Sequence, residues 1–346
     1  MRNYAITCAI VISLSITSLY SQTGGSSTYN FLNLTNSARV ASLGGKNVSL
    51  YDNDLNLAYH NPSLLGPEQS NNIVMNYISY LANVNYGYVS FAKDIPQKGT
   101  FAVGIHYINY GQFDAADRFG TITGKFSGSE YALNLIFARA IDSSFRWGIN
   151  IKPLYSVMER YNSFGMASDL GVTYIADQGL LTAALVVKNV GFQITSYTGN
   201  YSEPLPFEIQ MGVSKKFQYA PFRLSITAHN LQKYNMLYDK PATSNETNGN
   251  ESTPSNSSKF ADNLFRHLIF GVEFLPTKSF YVALAYDHKK RQEMALNGYG
   301  NYEGYSMGFG IRLKKFSLAY GYSVLHAAGG SNHFSFTLNL SQLYHK

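Results

Sequence analysis

The chain has 346 residues, of which only 14% are charged, against roughly a quarter in ordinary soluble domains. Tyrosine and phenylalanine are abundant, at 28 and 22 residues, and the formal net charge is a mild +6. The basic residues are scattered rather than blocked, which disfavours nucleic acid as a partner and at most weakly favours anionic ones such as lipopolysaccharide.

The first 21 residues, MRNYAITCAIVISLSITSLYS, predict a secretory signal peptide. Arg2 forms its basic start, an apolar run follows, and small residues precede Gln22. Cys8 lies early in the apolar run, so the mature chain has no cysteine for a disulfide, a thiolate nucleophile or a metal site. Beyond residue 21, no apolar run approaches the ~20 residues of a membrane helix, which excludes a helical membrane protein.

Residues 22–71 lack the alternation of a strand. The stretch SARVASL at 37–43 predicts a short helix that ends at Gly44 and Gly45, because glycine readily adopts the left-handed conformation that ends helices.

A second short helix is predicted to run through Tyr59. Asp52 or Asp54 is the expected N-terminal cap, since aspartate side chains accept hydrogen bonds from the first free amides of a helix. Pro62 then predicts an extended break at Asn61. The apolar residues of this segment favour a compact plug, and a loose periplasmic tail is the alternative.

From residue 72 onward, runs of about ten residues alternate between apolar and small or polar side chains, which is typical of strands with two different environments. The predicted strands are 72–81, 84–93, 99–109, 129–139, 145–156, 165–175, 180–190, 205–216, 222–230, 266–274, 279–287, 303–312, 316–325 and 332–341. An even count and this length predict an all-β membrane protein, a 14-stranded antiparallel transmembrane β-barrel of the bacterial outer membrane.

Loop lengths agree with this topology. Every second connection has five residues or fewer, as periplasmic turns do, and the long surface loops fall between them. The predicted long loops are 110–128, 191–204, 231–265 and 288–302. The final stretch, FSFTLNLSQLY, is expected to be the closing strand.

A barrel of 14 strands is wider than the ~8 strands whose interior side chains alone fill the lumen. We therefore predict that residues 22–71 fold as a hatch inside the mouth of the barrel formed by 72–346. Alternation places several polar side chains on the lumen face, where they pair with each other, hold the hatch or form a site. They are His106, Asp169, Glu208, Arg223, His229, Glu273 and Arg312.

The hatch sequence resembles the FadL-like 14-stranded barrels. The matching stretches are SAR at 37–39, LGG at 43–45, NVS at 47–49 and NPSLL at 61–65. Most of that family has alanine where this chain has Ser63. The residues that carry the resemblance are Arg39, Gly44, Gly45, Asn61 and Pro62.

Within that family, the N-terminal third is most similar to an outer-membrane component of the type IX secretion system. The resemblance implies a barrel without catalysis or cofactor that anchors a cell-surface attachment complex. The implied partners are PorU-like, PorV-like and PorZ-like proteins and outer-membrane lipid and lipopolysaccharide.

Two other functions remain open. A FadL-like uptake channel for hydrophobic small molecules needs an apolar pocket near the hatch and a kinked strand, for which Gly87, Gly104 and Gly171 leave room. A phospholipase-type enzyme needs a Ser/His pair on neighbouring strands, and no convincing pair is found. The polar stretch 240–259 is either a docking loop or a solvated one.

Overall fold

The computed structural model describes residues 27–199, 201–237, 256–294, 302–326 and 329–344. Within these ranges, 14 antiparallel strands form a closed barrel in which β14 pairs with β1. The strands are β1 Asn72–Ser79, β2 Asn85–Ile95, β3 Gly99–Ala116, β4 Ile122–Ala140, β5 Phe145–Met158, β6 Tyr161–Ala176, β7 Leu181–Thr195, β8 Glu208–Lys216, β9 Phe222–Ala228, β10 Leu268–Thr277, β11 Phe280–Asp287, β12 Tyr305–Arg312, β13 Phe316–His326 and β14 Gly329–Asn339. The predicted fold class is confirmed.

The apolar rows of the strands face outward, as their alternation predicts. Ile105, Leu284 and Met307, on three different strands, are 53%, 57% and 52% exposed, whereas the residues between such positions are buried in the lumen. A belt of exposed aliphatic and aromatic side chains of this kind is the surface that a bilayer covers, because lipid offers such side chains the apolar environment they favour.

The inner wall departs from its expected lining of small residues. On β1 to β5 it also carries large apolar side chains, among them Ile78, Tyr86, Ile108 and Leu154, all buried. These side chains pack against the N-terminal segment, so alternation of large and small residues is weaker on this side of the barrel.

Two of the predicted long loops are shorter in the structure because their strands continue. β3 and β4 pair beyond the rim almost to their ends and leave only 117–121 as a turn where 110–128 was predicted as a loop. β7 continues to Thr195, into the predicted loop 191–204. Cross-strand pairs such as Phe113–Phe126, stacked at 5.3 Å between ring centroids, extend the ladder past the barrel.

The helices are short and lie outside the strand ladder. They are α1 Ala38–Ser42, α2 Leu57–His60, α3 Asn256–Arg266, α4 His288–Met294 and α5 Leu340–Tyr344, with 3-10 turns at Asn30–Asn33, Pro62–Leu64, Pro67–Gln69, Leu81–Asn83 and Asp177–Gly179. Among the described residues, no helix has the length and apolar character needed to cross a membrane.

The loops 231–265 and 288–302 therefore contain helices, α3 and α4, in their described parts. The closing strand, predicted over 332–341, begins and ends earlier in the structure, because β14 runs from Gly329 to Asn339 and the chain then turns into α5. The signal peptide at 1–21 and most of the polar stretch 240–259 lie outside the described residues and stay predictions.

One bulge changes which side chains enter the lumen. Ser168 pairs with Val190, but Leu170 pairs with Val187, so β7 has an extra residue at this point. Asn189 takes the left-handed conformation, with φ 57°. As a result, the adjacent residues 188 and 189 both face inward.

Candidate functional site

Residues 27–71 lie inside the barrel, and we call this segment the hatch. At the end of the barrel that carries the long loops, Thr28 N donates to Pro204 O at 3.1 Å. At the end with the short turns, the hatch continues directly into β1 at Asn72. Most hatch side chains between these points are buried, so the segment fills the length of the lumen.

The first hatch helix forms where the sequence predicts it. Ser37 Oγ accepts from Val40 N at 3.4 Å, and the helix ends at Gly44 and Gly45, with φ 89° and 90°. A side chain at Gly44 would also collide with the wall, because a Cβ there would lie 2.4 Å from Ile269 Cγ2. Both the conformation and the close approach require glycine.

The prediction that Asp52 caps the second helix is wrong, because Asp52 lies in an ion cluster described below. Asp54 Oδ1 accepts from Asn56 N at 3.0 Å in the turn before α2, and no side chain caps the helix itself. The predicted break is confirmed, since Asn61 is extended, with φ −146° and ψ 107°, and Pro62 begins the next turn.

Glycines of the inner wall form seats where hatch atoms, both side-chain and backbone, approach the strands closely. A Cβ at Gly171 would lie 2.2 Å from Asn61 Oδ1, and one at Gly321 would lie 2.2 Å from Ala38 O. Further seats, at 2.4–3.0 Å from a hatch atom, are Gly148 under Pro62, Gly165 under Tyr29, Gly212 under Ser49, Gly271 under Leu43 and Gly308 under Ser42. The small inner residues of the sequence thus make room for the hatch.

Asn61 is the polar hub of the hatch's second half. Its Nδ2 donates to Val48 O at 2.7 Å and to Thr173 Oγ1 on β6 at 3.0 Å, while its Oδ1 accepts from Ser63 N at 3.0 Å. Ser63 Oγ lies 2.6 Å from the same Thr173 hydroxyl. Fully buried, this group joins two hatch turns to the wall.

A buried ion cluster holds the hatch near the short-turn end. Arg39 donates through Nε to Glu273 Oε1 at 2.8 Å and through Nη2 to Asp52 Oδ2 at 2.9 Å. Arg223 Nη1 lies 3.0 Å from Glu273 Oε2, and Arg312 Nη1 lies 3.0 Å from Asp52 Oδ2. Hatch and wall each contribute both signs of charge, and ion pairs cross between them from Arg39 to Glu273 and from Asp52 to Arg312.

The charges of this cluster stabilise one another. Burial raises the pKa of the Asp52 carboxyl, but the guanidinium groups of Arg39, Arg312 and Arg223 outweigh it and hold the pKa well below its usual value. The Arg39 and Arg312 guanidinium carbons also lie 4.9 and 5.0 Å from the centre of the Tyr281 ring. A cavity of about 60 Å³ beside them is of a size for water.

A second group of buried polar side chains lies at the β7 bulge. Lys152 Nζ is 2.6 Å from both Asp169 Oδ1 and Asn189 Oδ1, and Asn189 N donates to the same Asp169 oxygen at 2.8 Å. All three side chains are fully buried. This group braces the wall itself, because none of its members belongs to the hatch.

The seven predicted lumen residues do not all converge on one site. Arg223, Glu273 and Arg312 meet in the ion cluster, and Asp169 belongs to the group at the β7 bulge, while the other three lie outside both groups. His106 Nδ1 bonds to Tyr59 OH of the hatch at 2.9 Å, and Glu208 forms an ion pair with Lys46 of the hatch. His229 Nδ1 bonds to the neighbouring Asn230 side chain at 2.9 Å. Throughout the described ranges, no three His, Asp or Glu side chains are placed to hold a metal ion.

Sequence reasoning missed Asp52 as an ion partner, along with Lys46 of the hatch and the inward wall lysines Lys152 and Lys188. Lys152 was within reach, because it occupies an inward position between the outward Ile151 and Pro153 of β5. Lys188 was also within reach, because it continues the inward row of Ala184 and Val186 on β7. Asn189 was not, because the bulge places it inward against the alternation.

An apolar groove of about 480 Å³ lies on the outer wall across β1 and β12 to β14. It is lined mainly by outward residues such as Tyr77, Phe309, Leu318 and Phe334. The expected kink glycines have other roles here: Gly171 seats the hatch, and a Cβ at Gly104 would lie 2.7 Å from Tyr88 OH.

Comparison with known proteins gives the fold. The toluene transporter TodX of Pseudomonas putida aligns with a TM-score of 0.53 and 10% identity over 88% of this chain and 96% of its own. The toluene transporter TbuX of Ralstonia pickettii aligns with a TM-score of 0.52 and 9% identity over 89% and 99%. No protein-family model and no curated protein matches the sequence. The chain therefore has the 14-stranded outer-membrane barrel fold of these transporters.

Proposed function

We propose that this chain is a non-enzymatic channel of the outer membrane that admits hydrophobic small molecules, with the hatch as its internal gate. In this proposal residues 1–21 direct export, 22–71 gate the lumen and 72–346 form the pore. Support comes from the fold shared with two toluene transporters and from a hatch that fills the barrel.

The observation that carries the proposal is how the hatch is attached. Between residues 30 and 69 it is tied to the wall by side chains, such as Arg39 to Glu273 and Ser49 to Ser214, and it adds no strand to the ladder. The hatch can therefore shift or detach from the wall without opening any strand pair, and the barrel that spans the membrane stays closed.

A reversible disulfide tests whether the hatch must move. Ser49 Oγ of the hatch and Ser214 Oγ of β8 lie 2.7 Å apart, so Ser49→Cys with Ser214→Cys brings two thiols within bonding reach. We expect oxidised cells to lose uptake of radiolabelled toluene or oleate and reduced cells to regain it.

The matched control is a disulfide between two strands of the wall. Ser306 Oγ on β12 and Ser323 Oγ on β13 lie 3.0 Å apart in the same lumen. Their double cysteine variant should transport equally in both redox states. Uptake no greater than in cells lacking the chain contradicts the channel function, and equal uptake with the hatch locked contradicts its role as a gate.

A second function is an anchor for the cell-surface attachment complex of the type IX secretion system, in the manner of PorQ. It is supported by the hatch sequence at 37–49 and 61–65 and by the close fit of the hatch, which suits a barrel that stays closed. The partners would be PorU-like, PorV-like and PorZ-like proteins together with lipopolysaccharide.

A pull-down separates the two functions. The tagged chain is purified from native membranes in a mild detergent and every co-purifying protein is identified. A channel should be recovered without stoichiometric partners. Recovery of a large soluble surface protein in equal amount would favour the anchor and direct attention to the loops between β7 and β12.

A further inference from the structure

Helix α3 has its apolar and polar faces reversed relative to a helix that packs on a protein in water. Phe260, Leu264 and Phe265 are 61%, 49% and 45% exposed, and with Ala261 they form one face of the 3.6-residue turn. An exposed patch of this kind marks a surface that something apolar covers.

The opposite face of α3 is polar and is turned toward the protein. Asp262 Oδ2 accepts from Arg266 Nε at 2.8 Å, and Asp262 Oδ1 lies 2.8 Å from His288 Nε2. The other ring nitrogen of His288 bonds to Tyr286 OH on β11 at 3.0 Å. Through this chain of bonds the helix is fixed to the rim of the barrel with its apolar face outward.

That apolar face continues into the outer wall of the barrel. The Phe265 ring lies 6.3 Å from the ring of Phe270, which belongs to the outward row of β10 with Val272 and Phe274. Because α3 ends at Arg266 and β10 begins at Leu268, the helix lies at the rim where the lipid-facing belt begins.

We propose that α3 is an interfacial anchor whose apolar face, Phe260, Ala261, Leu264 and Phe265, is embedded in the outer leaflet of the membrane. Amphipathic helices bind membranes in this way, with the apolar face roughly 5–10 Å into the boundary between headgroups and acyl chains. The helix thereby fixes the long connection between β9 and β10 to the membrane surface. The proposal depends on the barrel and not on transport.

Tryptophan quenching by brominated lipid tests the proposal. The only tryptophan of the chain is first removed by the substitution Trp147→Phe, and Phe260→Trp is then added to that background. The full chain is reconstituted into phosphatidylcholine vesicles that carry bromine either near the headgroup end or near the middle of the acyl chains. We expect blue-shifted emission and a loss of fluorescence that is greater with the shallow bromine.

Phe119→Trp in the same background is the matched control. Phe119 is 78% exposed at the turn of the β3–β4 ribbon, which extends beyond the rim, so the emission of this control should be red and little quenched. Emission from the Phe260→Trp variant that is as red and unquenched as the control overturns the proposal. A blue-shifted emission that bromine does not quench also overturns it, since protein would then cover the helix.

Folding of each variant is checked by its migration in gels with and without boiling. Where Phe260→Trp fails that check, Leu264→Trp on the same face takes its place and the same outcomes apply.

Discussion

At the scale of single residues, the hatch depends on charges that are buried together. Arg39 and Glu273 are each 1% exposed and make two of their bonds to each other. Such a cluster contributes little net stability relative to apolar side chains, but removal of one member leaves its partners charged and without compensation. Its value is positional, because only one placement of the hatch satisfies every member.

The variant Glu273→Gln should destabilise the protein by about 3–5 kcal/mol, since Arg39 and Arg223 lose the carboxylate they share. The free energy of unfolding in detergent, measured by urea titration, checks this. Asp177→Asn is the control, because its pair with Lys215 is exposed and should cost less than about 1 kcal/mol. Equal losses in the two variants would mean that burial of the cluster does not matter.

Acid should act on the same cluster through Asp52. Its pKa is lowered in the folded protein, so its contribution is complete above the unfolded value of about 3.9 and is lost as the pH falls below it. Protection of the hatch from proteolysis should therefore hold from neutral pH down to about 4 and decline below that. Asp52→Asn should remove part of this decline, and an unchanged pH profile in that variant would contradict the assignment.

At the scale of elements, hatch and strands are shaped to each other. Each inward glycine makes room for a particular hatch atom, so these seats cannot be recognised from the sequence of any single strand. The β7 bulge is a second such feature, since it turns Asn189 into the lumen beside the inward Lys188 and within reach of Asp169. Local backbone irregularity thus supplies a polar brace that regular alternation would not produce.

The variant Gly171→Ala should weaken the seat beneath Asn61, because its Cβ would lie 2.2 Å from Asn61 Oδ1. Overpacking of this kind costs typically about 1–3 kcal/mol. Urea titration should report the loss, together with faster proteolysis of the hatch. Gly124→Ala on β4 is the control, since nothing lies within 4 Å of the added Cβ. A stable Gly171 variant with a protected hatch would mean that the seat is not tight.

At the scale of the whole molecule, the barrel and its filling are separate structures. The strand ladder closes from β1 to β14 without the hatch, while the hatch supplies much of the buried core of the lumen. A closed sheet has no free edge and satisfies its backbone bonds within the membrane, whereas the lumen of a 14-strand barrel is too wide for its own side chains to fill.

Deletion of residues 28–69 should therefore leave a folded barrel with an open lumen. We expect the variant to migrate differently in gels with and without boiling, as the full chain should, and to conduct ions in planar bilayers where the full chain conducts little. A folded deletion variant that does not conduct would mean that the wall collapses into the space that the hatch leaves.

The sequence alone determined the strand number, the outward face of each strand, the first hatch helix and the break at Asn61. These follow from local rules, since alternation, helix caps and proline act over a few residues. Tertiary structure alone decided that Asp52 joins three arginines, that β3 and β4 extend past the rim, and that α3 presents its apolar face outward. Each of these depends on strand register or on contacts between residues far apart in the chain, which no local pattern specifies.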